Sequence, residues 1–207
     1  MSTVTRREQY IQAAVKVFSE GGFGATTRLV ARKLGVTQSL LFRYFPRKEL
    51  LIQAVLEQLL LRHSTADWIG TLSDRTRPLR ERLIEFSLEY MDKVYGRDWL
   101  RIYMFSGLAH GAFTWRYVAN VTEPLLKTIA TEIRNELGVD ERSGSAVTLP
   151  ELEYLWLFRG GLYYQAVRRY IYGLYADDEA LKDSVSISVD SLLWGMSKLL
   201  DVRAPAV

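Results

Sequence analysis

The sequence contains no cysteine and only two histidines among its 207 residues. The absence of cysteine excludes disulfide bonds, thiolate metal sites and a cysteine nucleophile, and two histidines offer few ligands for a metal ion. Charged residues interrupt every apolar stretch before it reaches the ~20 residues of a membrane-spanning helix, and no apolar run follows Arg6 and Arg7. We therefore expect no metal ion or other cofactor, no membrane contact and a cytoplasmic location.

The sequence also lacks the alternation of apolar and polar residues that marks a half-buried strand. Its 48% hydrophobic and 25% charged content is that of an ordered protein. Helical spacing is present instead, and the first helix is predicted over residues 5–19, where Ile11, Ala14, Val15 and Phe18 share one face. These patterns predict an all-α fold.

The positive charge is concentrated at the amino terminus. Residues 1–63 hold ten Lys or Arg against four Asp or Glu, whereas residues 64–207 hold seventeen against twenty. A basic first segment followed by a mildly acidic remainder is typical of a protein that meets a polyanion at one end only.

The stretch from Thr26 to Lys48 predicts two short helices separated by a sharp turn. A threonine at position 26 or 27 can cap the first helix, and Gly35 suits the left-handed conformation that often ends one. Thr37 can cap the second helix, and Pro46 disfavours helical geometry in the residue before it. A short polar helix after a tight turn is the geometry of a helix-turn-helix that enters the major groove of DNA.

The second of these helices has two different faces. Leu41 and Phe45 repeat at i, i+4 and define a buried face. The outer face consists of Gln38, Ser39, Phe42 and Arg43. On spacing alone, an ordinary helical hairpin with a solvated basic face explains this pattern equally well.

A resemblance to the TetR family of bacterial regulators is carried by the segment GATTRLVARKLGVTQSLLFRYFPRKELL. The recurring features are a threonine-rich start, an alanine in the middle of the first of the two helices, a Gly-Val turn and two aromatic residues before a lysine. Here they are Thr26, Thr27, Ala31, Gly35, Val36, Tyr44, Phe45 and Lys48. The resemblance lies within about residues 5–51 and implies a three-helix DNA-binding domain followed by a larger helical domain for ligand binding and dimerisation.

The resemblance also implies roles for individual residues. Four polar residues would approach the groove, namely Arg28, Gln38, Ser39 and Arg43. Four others would hold phosphates, namely Thr27, Thr37, Tyr44 and Lys48. The chemistry suits these roles, because arginine can grip guanine and glutamine can grip adenine through two hydrogen bonds, while hydroxyls and lysine suit phosphates. Phe42 and Leu40 depart from the family pattern, and Phe42 either touches a thymine methyl group or only packs.

The pattern along the chain predicts a helix-turn-helix domain over residues 1–46 and a helical domain over residues 47–207. Within the latter, residues 64–77 are polar, and Asp98 can cap a helix. A helix over residues 113–137 contains Pro124, which should kink or split it. Residues 138–149 are the one plausible long loop.

The last two predicted helices, which begin near Pro150 and Asp183, are richer in apolar residues than one modest core requires. They either bury against the preceding helices or also pair with a second copy of the chain. Gly160 and Gly161 each cost about 1 kcal/mol in a helix, which favours a close approach of another helix there. The resemblance likewise implies dimerisation through these helices. The candidate interface residues are Leu155, Trp156, Gly160, Tyr163, Val167, Val189, Leu192, Leu193, Met196 and Leu200.

Aromatic residues accumulate in the middle helices. At helical spacing such residues usually belong to the core, but ligand sites between helices are also mostly apolar with a few polar groups. The resemblance implies a small-molecule site in this region. The candidate ligand-binding residues are Tyr90, Tyr103, Phe105, His110, Trp115, Tyr117, Phe158 and Tyr164.

The leading hypothesis is a homodimeric, sequence-specific regulator that binds double-stranded DNA. It would repress from a palindromic operator and be relieved by a small hydrophobic or aromatic-compatible effector. The alternative is a DNA-binding dimer whose carboxy-terminal domain docks a protein partner instead. An enzyme is not expected, because Glu151 and Glu153 point to different sides of a helix and neither histidine has a nucleophile nearby in sequence.

Overall fold

A computed structural model of the protein describes residues 5–61, 65–109, 111–139, 146–174 and 177–201. The described residues form helices and turns without a strand, which confirms the all-α prediction. No helix in these ranges is both long and apolar enough to cross a membrane. The α-helices are α1 (Arg6–Gly21), α2 (Thr27–Lys33), α3 (Gln38–Tyr44), α4 (Lys48–Leu61), α5 (Thr65–Ser73), α6 (Leu79–Lys93), α7 (Arg97–Leu108), α8 (Ala112–Tyr117), α9 (Glu123–Glu136), α10 (Leu149–Tyr170) and α11 (Asp178–Leu199).

The chain divides into two compact units. Unit 1 comprises residues 1–63 and 97–117, and unit 2 comprises residues 64–96 and 118–207. Helices α7 and α8 therefore belong to the same unit as the helix-turn-helix, although they follow it by more than 40 residues of sequence. The sequence-based division after residue 46 falls inside unit 1 and stays a prediction about function.

Helix α1 is the centre of unit 1 and packs against α2, α4 and α7. Thr5 caps it through a capping box, in which the Thr5 hydroxyl accepts from the Glu8 amide and Glu8 accepts from the Thr5 amide. Its apolar stripe is buried, with Ile11, Ala14 and Phe18 almost inaccessible to solvent. The predicted first helix is therefore confirmed, with its ends within two residues.

Polar contacts attach α7 to the carboxy-terminal end of α1. The Asp98 carboxylate accepts hydrogen bonds from Lys16 and from the Ser19 hydroxyl, the latter at 2.8 Å. Arg101 donates to the carbonyl of Ser19 and, at 3.2 Å, to that of Glu20. Burial raises the pKa of Asp98, but the hydrogen bonds from Lys16 and Ser19 outweigh it and leave that pKa below its ordinary value. The prediction that Asp98 caps α7 is wrong, since the helix already begins at Arg97 and the carboxylate binds α1.

In unit 2, helix α5 occupies a stretch that the sequence marked only as polar. It has just two buried residues, Trp68 and Leu72, one helical turn apart. The Trp68 ring lies against Tyr90, with 5.0 Å between ring centroids. Helix α5 packs on α6 and α9, so tertiary contact stabilises a helix whose own apolar pattern is weak.

A π-helical turn over Val118–Thr122 precedes α9, and Pro124 is the second residue of that helix. Proline is tolerated there because the first turn of a helix needs no amide donor. The predicted helix over residues 113–137 is thus interrupted, as expected, but the interruption is the π-helical turn that lies just before Pro124.

Buried ion pairs join the helices of unit 2. The Glu132 carboxylate, 4% exposed, accepts from Arg75 and from the buried Arg82 at 2.9 Å each. Arg134 of α9 binds Glu151 of α10 in a bidentate pair at 2.6 and 2.7 Å. In both glutamates burial raises the pKa, but the hydrogen bonds from the arginines, and from Thr148 to Glu151, more than offset it and lower the pKa below its ordinary value.

Helices α10 and α11 pack on each other and on α6. Helix α10 ends at Tyr170, and α11 begins at Asp178, five residues before its predicted start. The Tyr154 hydroxyl of α10 donates to the Ser191 carbonyl and lies directly over Gly195 of α11. Of the predicted loop, residues 140–145 lie outside the described residues.

Candidate nucleic-acid interface

The turn between α2 and α3 is fixed by its own backbone. The Gly35 amide donates to the Arg32 carbonyl and the Val36 amide to the Ala31 carbonyl, which is the pattern of a Schellman motif. Gly35 has a positive φ of 65°, so a residue with a side chain would be strained there. The Thr37 hydroxyl then accepts from the Leu40 amide and starts α3, whereas the proposed cap at Thr26 makes no side-chain hydrogen bond.

Most residues of helix α3 are exposed or half-buried. Leu41 is its one fully buried residue, and Phe45, which follows the helix, is 3% exposed. The opposite face is solvent-exposed and carries Ser39, Phe42 and Arg43. The face is therefore accessible to another molecule.

Gln38 and Thr27 contact each other across the turn. The Gln38 side-chain amide donates to the Thr27 hydroxyl at 2.8 Å. Thr27 is only 7% exposed, and Gln38 is half-buried. The Thr27 hydroxyl therefore contacts Gln38, whose side chain is predicted to contact a base.

The remaining candidates surround this face. Arg28 and Tyr44 are exposed, and Lys48 is half-buried at the first position of α4. The Tyr44 ring packs on Tyr10 of α1, with 5.0 Å between centroids, which holds the aromatic residue while its edge faces solvent. Arg47 is also exposed and directly precedes Lys48. Sequence reasoning assigned Lys48 to this interface but missed Arg47, although the two adjacent cations were a signal for both.

The electrostatics of this segment have one sign. Residues 21–48 contain six Lys or Arg and no Asp or Glu. A surface with that balance attracts phosphates and releases their counterions on binding. Duplex DNA is the partner that a short exposed helix with this charge fits best.

The candidate ligand-binding residues are divided between the two units. In unit 1, Tyr103 and Tyr117 pack around Trp99, with centroids 4.7 and 5.1 Å from its ring. Phe105 covers Gly22 in the same unit, where a Cβ atom would lie 3.4 Å from its ring. Trp115 is 74% exposed and lines no described cavity. His110 lies outside the described residues.

Unit 2 contains a narrow, mainly apolar cavity of about 20 Å³, with room for about one water molecule. Two of the candidates, Tyr90 and Phe158, line it, whereas Tyr164 is 56% exposed elsewhere on α10. The hydroxyl of Thr122 is buried without a hydrogen-bond partner among the described residues. The lining residues that sequence reasoning did not assign to a ligand site are Phe86, Tyr95, Thr122, Leu125, Leu126, Ile129 and Leu162. Their helical spacing resembles that of core residues, so no pattern distinguished them.

The interface candidates on α10 and α11 fall into two groups. Half of them are at most 3% exposed and pack in the core of unit 2, which corrects their assignment: Leu155, Val167, Val189, Leu192 and Met196. The other half are exposed or half-buried: Trp156, Gly160, Tyr163, Leu193 and Leu200. The large apolar side chains that these helices do expose are Leu149, Leu157, Tyr164, Ile187, Trp194 and Leu199.

The family model for bacterial regulatory proteins of the tetR family matches residues 11–55. This match covers most of α1, all of α2 and α3, and the first half of α4, and it confirms the resemblance on the segment that contains the exposed face of α3. A comparison of the whole sequence with curated proteins finds no match.

Solved structures similar to this fold are described as TetR-type transcriptional regulators. One from Mesorhizobium loti has a TM-score of 0.65 and 17% identity and aligns over 92% of this chain and 98% of its own. One from Rhodococcus sp. RHA1 has a TM-score of 0.62 and 21% identity over 95% and 98%. One from Streptomyces coelicolor has a TM-score of 0.63 and 18% identity over 96% and 85%. At these identities the likeness establishes the fold, an amino-terminal helix-turn-helix with a helical remainder.

Proposed function

We propose that this chain, whose amino-terminal segment is that of a TetR-type transcriptional regulator, is a repressor that binds a palindromic operator as a homodimer and is released by a small effector. The observation that carries the DNA-binding part is the exposed outer face of α3. That face is held by a glycine turn and a threonine cap and lies in a segment of six cations and no anion.

The α3 face has the chemical groups to read a duplex. Arg43 can donate two parallel hydrogen bonds to guanine, and Gln38 can donate to and accept from adenine. Lys48 and Arg28 supply charge for phosphates, which adds affinity without sequence preference. Phe42, 38% exposed, offers an apolar edge that fits a thymine methyl group.

Selection of bound fragments from random DNA tests this proposal. We expect Arg43→Ala and Gln38→Ala each to relax the preference at a single position by about 1–3 kcal/mol. Lys48→Ala should weaken binding to all sequences alike and reduce the salt slope by about one unit. Lys182→Ala, which removes an exposed cation on α11, is the control and should change neither. Equal effects of the first three variants on selected and random DNA would contradict the proposal.

The dimer is proposed to form through the outer face of α10 and α11. Leu157 and Ile187 are 72% and 66% exposed, and Trp194 is 60% exposed, although all three are large and apolar. Gly160 is exposed in the same region, and a Cβ atom there would meet nothing within 4 Å. Exposed apolar residues along two long helices are what a self-complementary interface needs.

Sedimentation of the purified protein tests the dimer. A double substitution, Leu157→Glu with Ile187→Glu, should shift the mass from two chains to one, because it places two charges in each half of the interface. Leu108→Glu is the matched control, since Leu108 is 86% exposed on α7 and lies outside this face. An unchanged mass for the double variant would place the interface elsewhere.

The cavity in unit 2 supports the effector part of the proposal. Its lining is almost wholly apolar and aromatic, and the unpartnered Thr122 hydroxyl can hydrogen-bond a polar group of a small molecule. A thermal-shift screen with small apolar and aromatic compounds should find ligands whose stabilisation rises with concentration and which lower DNA affinity. If no compound stabilises the protein, docking of a protein partner to unit 2 becomes the better account.

A further inference from the structure

We propose that Thr27 is a positioning residue for base recognition. Through its hydrogen bond to Gln38, it orients that side chain to select adenine at one position in each half of the operator. This inference rests on the DNA-binding function proposed above, and it assigns to Thr27 a role different from the phosphate contact that the family resemblance implies.

The contact joins the two helices of the helix-turn-helix. Thr27 is the first residue of α2 and Gln38 the first residue of α3, and the Gln38 Nε2 atom lies 2.8 Å from the Thr27 Oγ1 atom. The Schellman turn at Gly35 and the cap at Thr37 fix both backbones. The two side chains are therefore held at hydrogen-bond distance by structure that forms before any DNA is present.

Burial argues against a direct phosphate contact by Thr27. Its side chain is 7% exposed, whereas Arg28, the next residue, is solvent-exposed. A phosphate oxygen would have to reach a hydroxyl that lies beneath Gln38. The hydroxyl is better placed to act on the glutamine than on the DNA backbone.

The remaining hydrogen-bonding groups of Gln38 match adenine. A glutamine amide has two N–H donors and one oxygen acceptor, and Thr27 uses one donor. The second donor and the oxygen remain, which are the groups that bind N7 and the N6 amino group of adenine. Guanine presents two acceptors at these places, so the fixed oxygen would face the O6 atom of guanine. In the orientation that the structure shows, with the amide nitrogen on Thr27, Gln38 therefore matches adenine and not guanine.

Because Gln38 is oriented before DNA binds, the entropic cost of binding is also lower. A free glutamine loses rotamer freedom when it is ordered at an interface, whereas this one is already restrained in the folded protein. Loss of the Thr27 hydroxyl should release the amide to rotate and flip. The affinity of Gln38 for adenine would then fall while the rest of the surface stays as it is.

Selection from random DNA with five proteins tests the inference: wild type, Thr27→Val, Thr27→Ala, Thr27→Ser and Gln38→Ala. Wild type should select adenine at one position per half-site, and Gln38→Ala should lose that preference by roughly 5-fold or more, the lower end expected for a bidentate pair. Thr27→Val should lose most of the same preference at the same position, and Thr27→Ser should keep it. Thr27→Ala repeats the prediction with a smaller side chain, and thermal melts confirm that each variant is folded.

Three results would overturn the inference. If Thr27→Val and Thr27→Ala both select like wild type, the adenine preference does not depend on the hydroxyl. If both variants weaken all sequences alike and leave the salt slope unchanged, Thr27 binds a phosphate through its neutral hydroxyl. If wild type selects no sequence at all, the proposed function fails as well, and that result is distinct from the other two.

Discussion

The helix-turn-helix and the last two helices of this chain are stabilised in different ways. Helices α2 and α3 have seven residues each, and α3 buries only Leu41. Helices α10 and α11 have 22 residues each and bury apolar stripes together with a charged residue, Glu151. The first pair depends on caps and a glycine turn, whereas the second depends on contacts between helices distant in sequence.

This difference separates function from stability. The exposed side chains of α3 contribute little to folding, so they can be chosen for what they bind. The buried groups of α10 and α11 have partners that must be present, because an unpaired buried charge is costly. Substitutions should therefore destabilise the protein strongly in unit 2 and only weakly on the α3 face, except where they remove a cap or the turn.

The largest expected effect is at the ion pair between α9 and α10. Glu151→Ala should lower the free energy of unfolding by about 3–5 kcal/mol, because it leaves Arg134 without its carboxylate partner in a buried site. Denaturant titration measures this loss. Glu153→Ala, on an exposed position of the same helix, is the control and should change stability by less than about 0.5 kcal/mol. Similar losses in both variants would mean that burial of the pair does not matter.

A steric contact between α10 and α11 gives the next effect. Gly195→Ala would place a Cβ atom 2.0 Å from the Tyr154 hydroxyl oxygen, so one helix or the tyrosine must shift, at a cost of about 1–3 kcal/mol. Tyr154→Ala in the same protein should relieve the clash, which a double-mutant cycle detects. Gly70→Ala in α5 is the control, because nothing lies within 4 Å of its added Cβ atom and alanine favours a helix by about 1 kcal/mol. Opposite signs for the two glycines are the decisive result.

A smaller effect is expected where local capping dominates. Thr37→Ala should destabilise the protein by about 1 kcal/mol, because it removes the hydroxyl that accepts from the Leu40 amide. Thr26→Ala, at the start of α2, removes a hydroxyl that makes no capping bond and should cost only a few tenths. Thermal melts of the two variants compare them, and equal losses would show that the cap is unimportant.

The last expected effect is a loss of stability that appears only on acidification. The pKa values of Glu132 and Glu151 are lowered in the folded protein, so the native state binds fewer protons than the unfolded chain. Their contribution is present above about pH 4.3, the ordinary value for glutamate, and is lost as the pH falls through the lowered values. Denaturant titrations at several pH values should show a shallower acid decline in Glu151→Gln than in wild type, and a parallel decline would contradict this assignment.

The sequence predicted the helix-turn-helix well because its signals are local. Gly35, Thr37 and Pro46 act on their immediate neighbours, and each has the predicted effect on the chain. The family model confirms the resemblance over the same segment. The hydrogen bond between Thr27 and Gln38 was beyond this reasoning, because it depends on the angle between two helices and not on residue spacing.

The second unit was harder to predict for the opposite reason. Leu155 is buried and Leu157 exposed, yet both are apolar residues of one long helix, so composition could not tell the inner from the outer face. Arg82 and Glu132 pair across 50 residues of sequence, and nothing in either neighbourhood signals the partner. Helix α5 was missed because only two of its residues, Trp68 and Leu72, are buried, which is too few to stand out from a polar stretch.

The ion pair between Arg134 of α9 and Glu151 of α10 suggests where the protein can be modified. Arg134 donates to the carbonyl of Ala146 and to Glu151, and Glu151 accepts from Thr148. These hydrogen bonds hold the start of α10 and the residues just before it against α9. Lengthening a closed connection costs little, about 0.6 kcal/mol for each doubling. An epitope or a fluorescent label spliced in after residue 139 should therefore leave both helices in register, which makes this connection the natural attachment point for a reporter.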